Sequence, residues 1–246
     1  YMAEAVETLE GWYCLHDLRT IDWSLWKQTA IEKRKQAIEE FQQLLSDCEH
    51  VEEQEVGSHV MHQVIGQKAD LMFMFLRPTV DALMELETTI NKSQLGEFLK
   101  PAYSYFSVVE LTKDRARRGE DSPAVQARLK PILPKWRYMS FYPMSRRRFQ
   151  DENWFTLDKD ERKGLLYEHS KTGRKYAHKV RQVTTGSVGF DEWEWAVSLF
   201  TDDVLQLKKI VYEMRFDEAS ARYGLFGDFY IGKYLTKEAL NNYLSL

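Results

Sequence analysis

The chain has no run approaching the roughly 18 to 20 consecutive apolar residues that a membrane-spanning helix needs, so a transmembrane anchor is not expected. Its opening residues are acidic and polar, without the apolar stretch of a secretory leader. Cysteine is scarce: Cys14 and Cys48 are the only two, and they stand at no metal-ligand spacing. That usage is most simply read as a reducing, cytoplasmic compartment. Positive charge is not in excess either. There are 34 lysines and arginines against 38 acidic residues, a net charge of −4, so no global field draws in nucleic acid. What the chain does have is apolar matter, 43% hydrophobic and 13% aromatic over 246 residues. That suffices for the core of one large domain or two small ones.

Residues 11–18 alternate as a strand opened by Gly11, and apolar residues at helical spacing (Trp26, Ala30, Ile38, Phe41, Leu44, Leu45) predict a helix over 22–48. Strands are expected at 56–65 and 70–76, a helix from Pro78 to about 97, and a strand at 102–111. The order is β-α-β-β-α-β, the split βαβ pattern of a ferredoxin-like unit. The second half repeats it. A strand at 135–144 precedes a helix over 159–178, where Asp158 and Glu161 form a capping box. Strands at 180–187 and 193–200, a helix at 203–220, a strand at 225–233 and a short helix at 236–244 complete the set.

The halves also match in register: Asp70 followed by LMFMFLRPTVDAL falls opposite Glu194 followed by WAVSLFTDDVLQL. The expected fold class is therefore α+β, two ferredoxin-like halves packed as a dimeric α+β barrel within one chain. The expected boundaries are 1–112 and 135–246, with 113–134 (KDRARRGEDSP, then Pro131 and Pro134) as a mobile charged linker.

Of the six histidines, His59 and His62 lie three apart on a strand and so point to opposite faces. His16 and His50 have no histidine company in sequence, and His178 sits near a helix end, where a cation is favoured in any case. His169 differs. It shares an i, i+3, i+4, i+7 stripe with Leu165, Leu166, Thr172, Gly173 and Tyr176. The residues alone leave two readings, a core histidine bonded to backbone or an axial ligand for haem iron. Strand 135–144 puts Trp136, Tyr138, Ser140, Tyr142 and Met144 on one face, with Arg146, Arg147 and Arg148 just beyond. A tyrosine beside such a cluster suits carboxylate binding or one-electron chemistry; a core tyrosine before a solvated basic turn is the other reading. Arg128 and Arg215 stand apart, and would matter for a ligand with several carboxylates.

Three stretches bear on the choice: YMSFYPMSRRR (138–148), LLYEHSKTGRKYAHKVRQVTTGSVGFDEWEWAVSLF (165–200) and VYEMRFDEASARYGLFGDF (211–229). They resemble the coproheme decarboxylases of Gram-positive bacteria, within the chlorite dismutase superfamily. TLEGWYCLHDLRTIDWSLWK near the start and PAYSYFSVVEL at 101–111 extend the likeness over nearly the whole chain. The resemblance implies a chlorite dismutase-like fold assembled as a homopentamer. It also implies a peroxide-dependent enzyme that converts two propionates of iron coproporphyrin III to vinyl groups, giving haem b through a monovinyl, three-propionate intermediate.

Carried over by the resemblance, the axial iron ligand falls on His169, the radical-forming tyrosine on Tyr142 and the distal glutamine on Gln182, where chlorite dismutases carry arginine. Contacts to the substrate fall on Arg128, Tyr142, Pro143, Met144, Ser145, Arg146 and Ser220, with Arg215 a further propionate partner. One departure is Arg146, where the family usually has lysine; a guanidinium keeps the charge but does not readily give up a proton. The implied partners are coproheme, hydrogen peroxide and, transiently, the ferrochelatase that supplies coproheme. The alternatives are a haem carrier, or peroxidase or chlorite dismutase activity on the same fold.

Overall fold

The structure, a computed structural model, describes residues 3–246. Its first half contains β1 (Thr8–Ile21), α1 (Trp23–Gln28), α2 (Ile31–Glu53), β2 (Ser58–Val64), β3 (Leu71–Arg77), α3 (Val80–Lys92) and β4 (Leu99–Thr112). After α4 (Pro123–Leu129) come β5 (Tyr138–Arg146), α5 (Lys159–Lys175), β6 (Val180–Gly186), β7 (Trp195–Thr201), α6 (Val204–Met214), α7 (Glu218–Tyr223), β8 (Gly224–Phe226), β9 (Tyr230–Tyr234) and α8 (Lys237–Leu244).

The first half orders its strands β4-β1-β3-β2 and the second β6-β7-β5-β9, the same ferredoxin-like order twice. Antiparallel pairs β2–β9 and β4–β6 join the two sheets into a closed ring of eight strands, with β8 hydrogen-bonded alongside β5. The α+β barrel expected from the repeat is the observed architecture. Strand alternation then sorts the side chains. One set of positions fills the barrel interior with Cys14, Leu18, Met72, Met74, Tyr105, Met139, Phe141 and Phe200. The other set in the first half, including Leu15, Phe73 and Phe75, is covered by Phe41 and Leu45 of α2, Leu83 and Ile90 of α3 and Leu240 of α8. In the second half Tyr142, Val180, Val197 and Leu199 face outward against Leu207 and Ile210 of α6.

Several expected elements are divided. The helix over 22–48 breaks at Thr29 and Ala30, both extended, and Trp26 turns fully inside, its indole N–H donating to the Leu244 carbonyl at 2.8 Å. The helix placed at 203–220 stops at Met214; Asp217 then caps α7, its carboxylate accepting from the Ser220 N–H at 2.9 Å. The strand placed at 225–233 is two, β8 and β9. Residues 113–134 are charged as expected, but they are not free along their length. Ser122 caps α4, whose Val125 and Leu129 are buried against Leu111 and Leu9.

That packing explains Gly11. A Cβ there would collide with the backbone carbonyl of Leu129, which has nowhere to retreat while Leu129 itself is buried. Gly11→Ala is therefore expected to lower stability by about 3 kcal/mol, an overpacking cost, read as a lower denaturant midpoint. An unchanged midpoint would show that α4 is free to lift away.

Candidate functional site

Register places the candidate residues. Tyr142 pairs with Val197, and Val197 with Thr184; Ser140 pairs with Leu199, and Leu199 with Gln182; Met144 pairs with Trp195, and Trp195 with Gly186. Directly opposed residues share a face, so Tyr142, Met144, Thr184 and Gln182 all project from the outer surface of the second sheet. Helix α5 stands beside this surface and packs against α6 and α7, with Arg162 its one buried residue. The stripe read from the sequence, Leu165, Leu166, His169, Thr172, Gly173 and Tyr176, is half-buried. A Cβ at Gly173 would meet only the Met214 methyl, at 3.5 Å.

On α5 the imidazole of His169 is held through one nitrogen. Its Nδ1 lies 2.7 Å from the Asp217 carboxylate and 3.3 Å from the Ser220 hydroxyl. Asp217 is itself fixed as the cap of α7. Among the described residues no protein hydrogen bond engages Nε2. A histidine oriented by a carboxylate at one ring nitrogen, with the other free, is the arrangement of a metal-ligating imidazole with its outer-shell support. Ser220 thus sits on the side of the imidazole.

Tyr142 is buried, its ring stacked on Phe229 with centroids 4.3 Å apart. Burial pushes its phenol up to about 12, while Arg215 and Arg146 pull the other way. Arg146, two pairs along the same face of β5, is buried too. It donates to the Ala219 carbonyl at 2.9 Å and lies 4.8 Å over the Trp154 ring. Burial disfavours its charge, and Asp217, Tyr142 and Glu194 oppose that loss. The same guanidinium therefore feels both the carboxylate behind His169 and the phenol of Tyr142. Arg215 stacks 3.6 Å over Phe226, next to Tyr142 in the same apolar cluster.

The remaining expected residues divide. Met144 is half-buried against Tyr142's cluster, Pro143 continues the strand opposite Ala196, and the Ser145 hydroxyl accepts from the Glu194 N–H at 3.2 Å. Gln182 is exposed on the shared face and donates to the Thr184 hydroxyl at 2.8 Å. Arg128 is not brought to this cluster. It is exposed on α4, and no hydrogen bond or ion pair among the described residues joins it to the others.

The other histidines go elsewhere. His16 lies in the barrel interior, 2.8 Å from the Ser198 hydroxyl and stacked on Phe141, and His62 is buried beside Phe200 and Tyr234. His59 faces Glu52 at 3.8 Å. No group of three or more metal-ligating side chains occurs among the described residues. The second sheet therefore presents one tethered imidazole on a helix and one buried phenol on a strand. Two arginines act on the phenol, which sits in an apolar cluster with Met144, Phe226 and Phe229. Asp217, which orients the imidazole, carries no signal at the level of spacing. It stands 48 residues from its histidine, inside the stretch 203–220 expected as one helix.

The family model described as "Chlorite dismutase" matches residues 34–235. A protein of Oceanobacillus iheyensis named "Coproheme decarboxylase" is 55% identical over 249 aligned residues, covering all of both chains. A solved structure described as a novel heme-binding protein from Thermus thermophilus superposes with a TM-score of 0.96 at 47% identity, again over all of both chains. A chlorite dismutase of Candidatus Nitrospira defluvii superposes at 0.77 with 16% identity over 96% of each chain, which concerns the fold alone.

Proposed function

The chain belongs to the chlorite dismutase family, and from that membership we propose that it is a coproheme decarboxylase, converting iron coproporphyrin III to haem b. The observation that carries the reading is that His169 is tethered by Asp217 with no protein partner on Nε2 among the described residues, while the Arg146 guanidinium feels both that Asp217 carboxylate and the Tyr142 phenol. The full-length likeness to a coproheme decarboxylase at 55% identity supports it.

In this reading His169 holds the substrate iron, and Arg146 and Arg215 hold propionates near Tyr142. Ser145, Pro143 and Met144 line the macrocycle edge, with Ser220 as a further propionate contact; Arg128, exposed on α4 away from this cluster, is not one of them. The substrate's iron and hydrogen peroxide supply the oxidising power. Tyr142, oxidised to a tyrosyl radical, takes hydrogen from the propionate β-carbon. Each propionate, with one peroxide and one proton, yields a vinyl group, carbon dioxide and two waters. Two rounds pass through the monovinyl, three-propionate species. Arg146, where the family has lysine, keeps the anchoring charge but holds its proton, so it serves here as an anchor and not as an acid. The two sequence halves, 1–112 and 135–246, would divide the labour, with the second carrying the porphyrin. Assembly as a homopentamer, residence in the cytoplasm and a passing contact with a ferrochelatase belong to the same proposal.

The test is direct. The protein is mixed with iron coproporphyrin III, peroxide is titrated, and product masses are followed. Stepwise loss of two carboxyl groups is the expected result. Binding without loss would favour a haem carrier, and oxygen release from chlorite would favour dismutation. The neutral Gln182 argues against the latter, because a distal cation is what stabilises a departing or bound anion.

A further inference from the structure

A peroxide reaction makes a demand that the residues named so far do not meet. Peroxide must give up a proton as it meets the iron and take one back on the oxygen that leaves. Gln182 is an amide and exchanges no proton near neutrality. Arg146 is a guanidinium, which does not readily give up its proton, and the Tyr142 phenol is pushed up to about 12. His16 and His62 lie inside the barrel, on the other side of the sheet.

A carboxylate also lies on the outer face. Glu110, near the end of β4, follows by two residues Val108, which pairs with Gly186 of β6. Its carboxylate lies directly across that glycine, where a Cβ would stand 2.5 Å from both oxygens. The indole N–H of Trp195, the cross-strand neighbour of Met144, donates to it at 3.3 Å. Burial lifts this carboxyl above the ordinary carboxylate range, against the pull of the indole, and Glu10 adds to the lift. Along β6 the same face then reads Gly186, Thr184, Gln182. Gln182 already donates to the Thr184 hydroxyl at 2.8 Å, which leaves the hydroxyl hydrogen to point elsewhere. Successive positions on one face are ~7 Å apart, so the carboxylate over Gly186 and the Thr184 hydroxyl are neighbours along that face, where water can join them.

We propose that Glu110 is the proton reservoir for the peroxide step, connected to the iron-facing end of β6 through a water and the Thr184 hydroxyl beside Gln182. The inference rests on the functional reading above and deepens it. Ionised Glu110 accepts the proton that peroxide loses on meeting the iron. The proton then returns to the departing oxygen, which leaves as water with the hydrogen it already carries. As the O–O bond breaks, peroxide gains two electrons and the iron centre of the substrate supplies them. Acting through Thr184, Glu110 is a positioning residue for that proton.

The accepting form is the carboxylate, so the rate of the peroxide step rises as pH rises through the Glu110 range. The charged group facing it is Glu10, opposite on β1. Lys113, beyond the end of β4, is paired with Glu7 at 2.9 Å and also feels Glu10. Trp195 from β7 and Thr184 and Gly186 from β6 carry no charge.

The experiment uses the whole chain loaded with iron coproporphyrin III. Stopped-flow rates with hydrogen peroxide are measured across pH, and separately with cyanide, whose conjugate acid must also lose a proton to bind iron. Glu110→Gln is expected to slow the peroxide step on the order of 10²-fold, as for a lost general base. It should also remove the acidic limb from both pH profiles while the affinity for iron coproporphyrin holds. Thr184→Val should slow both reactions in the same direction, and Thr184→Ser should restore them. Rates and pH profiles in Glu110→Gln that match the unaltered protein would overturn the relay alone. An unaltered protein that neither binds iron coproporphyrin nor reacts with peroxide would overturn the functional reading and the relay with it.

Discussion

Replacing Tyr142 with phenylalanine is expected to leave iron coproporphyrin bound and to bring its decarboxylation below detection. The change removes one oxygen and little else. The ring is stacked on Phe229 at 4.3 Å and packed with Val197, Leu199 and Leu207, contacts that phenylalanine keeps. No hydrogen bond to protein anchors the hydroxyl among the described residues, so the fold loses no partner, and the melting temperature should stay within experimental error. What is lost is the O–H group near Arg146 and Arg215, the two cations that oppose the upward push of burial on the phenol. A phenol raised to about 12 stays protonated at neutral pH, so it gives up an electron and a proton together. Phenylalanine has neither to give. The readout is carbon dioxide release and product mass from the loaded protein after peroxide addition. Undiminished release would remove Tyr142 from the reaction, whereas loss of binding would make it an anchor only.

The barrel is legible in the sequence because its evidence is repeated. The apolar runs at Leu71–Arg77 and Trp195–Thr201 each lead directly into a capped helix, and both occupy the same third position in their half. Alternation within 135–144 likewise puts Tyr142 and Met144 on one face; that the strand runs on to Arg146 and carries it onto the same face is visible only in the fold. The breaks are harder to read. Thr29-Ala30 contains neither glycine nor proline, and the chain turns there so that Trp26 can be buried against the C-terminal helix, a contact 218 residues away in sequence. The same limit applies within the site. Asp217 falls inside the helix expected over 203–220; only the fold makes it the cap of α7 and brings it to His169. Glu110 looks like a solvated strand residue until Gly186 is seen beneath its carboxylate. Arg128 is the opposite case. Its place in the chain resembles that of a propionate contact, while the structure leaves it exposed on α4. Pairwise spacing reports what neighbours along the chain share, and these contacts are made by elements far apart along it.

Asp217 allows the proximal side to be dissected by two substitutions of different depth. His169→Ala removes the imidazole outright and is expected to abolish iron coordination from α5, with a changed absorption spectrum of bound ferric coproporphyrin. Added imidazole should restore the spectrum if the residue acts as a ligand. Asp217→Asn is subtler. Asparagine caps helices about as well as aspartate, so α7 and the bond from the Ser220 N–H should survive. The charge opposite His169 Nδ1, now 2.7 Å away, does not. Loss of such outer-shell support typically costs about 10–100-fold in metal affinity or activity, and that loss is expected here with an unchanged folding midpoint. The two outcomes separate roles that a single mutant would merge. A spectrum untouched by His169→Ala would mean that the iron is held from elsewhere. A wild-type affinity and turnover in Asp217→Asn would mean that the carboxylate serves only the helix it caps, and that Nδ1 is oriented well enough by the Ser220 hydroxyl at 3.3 Å.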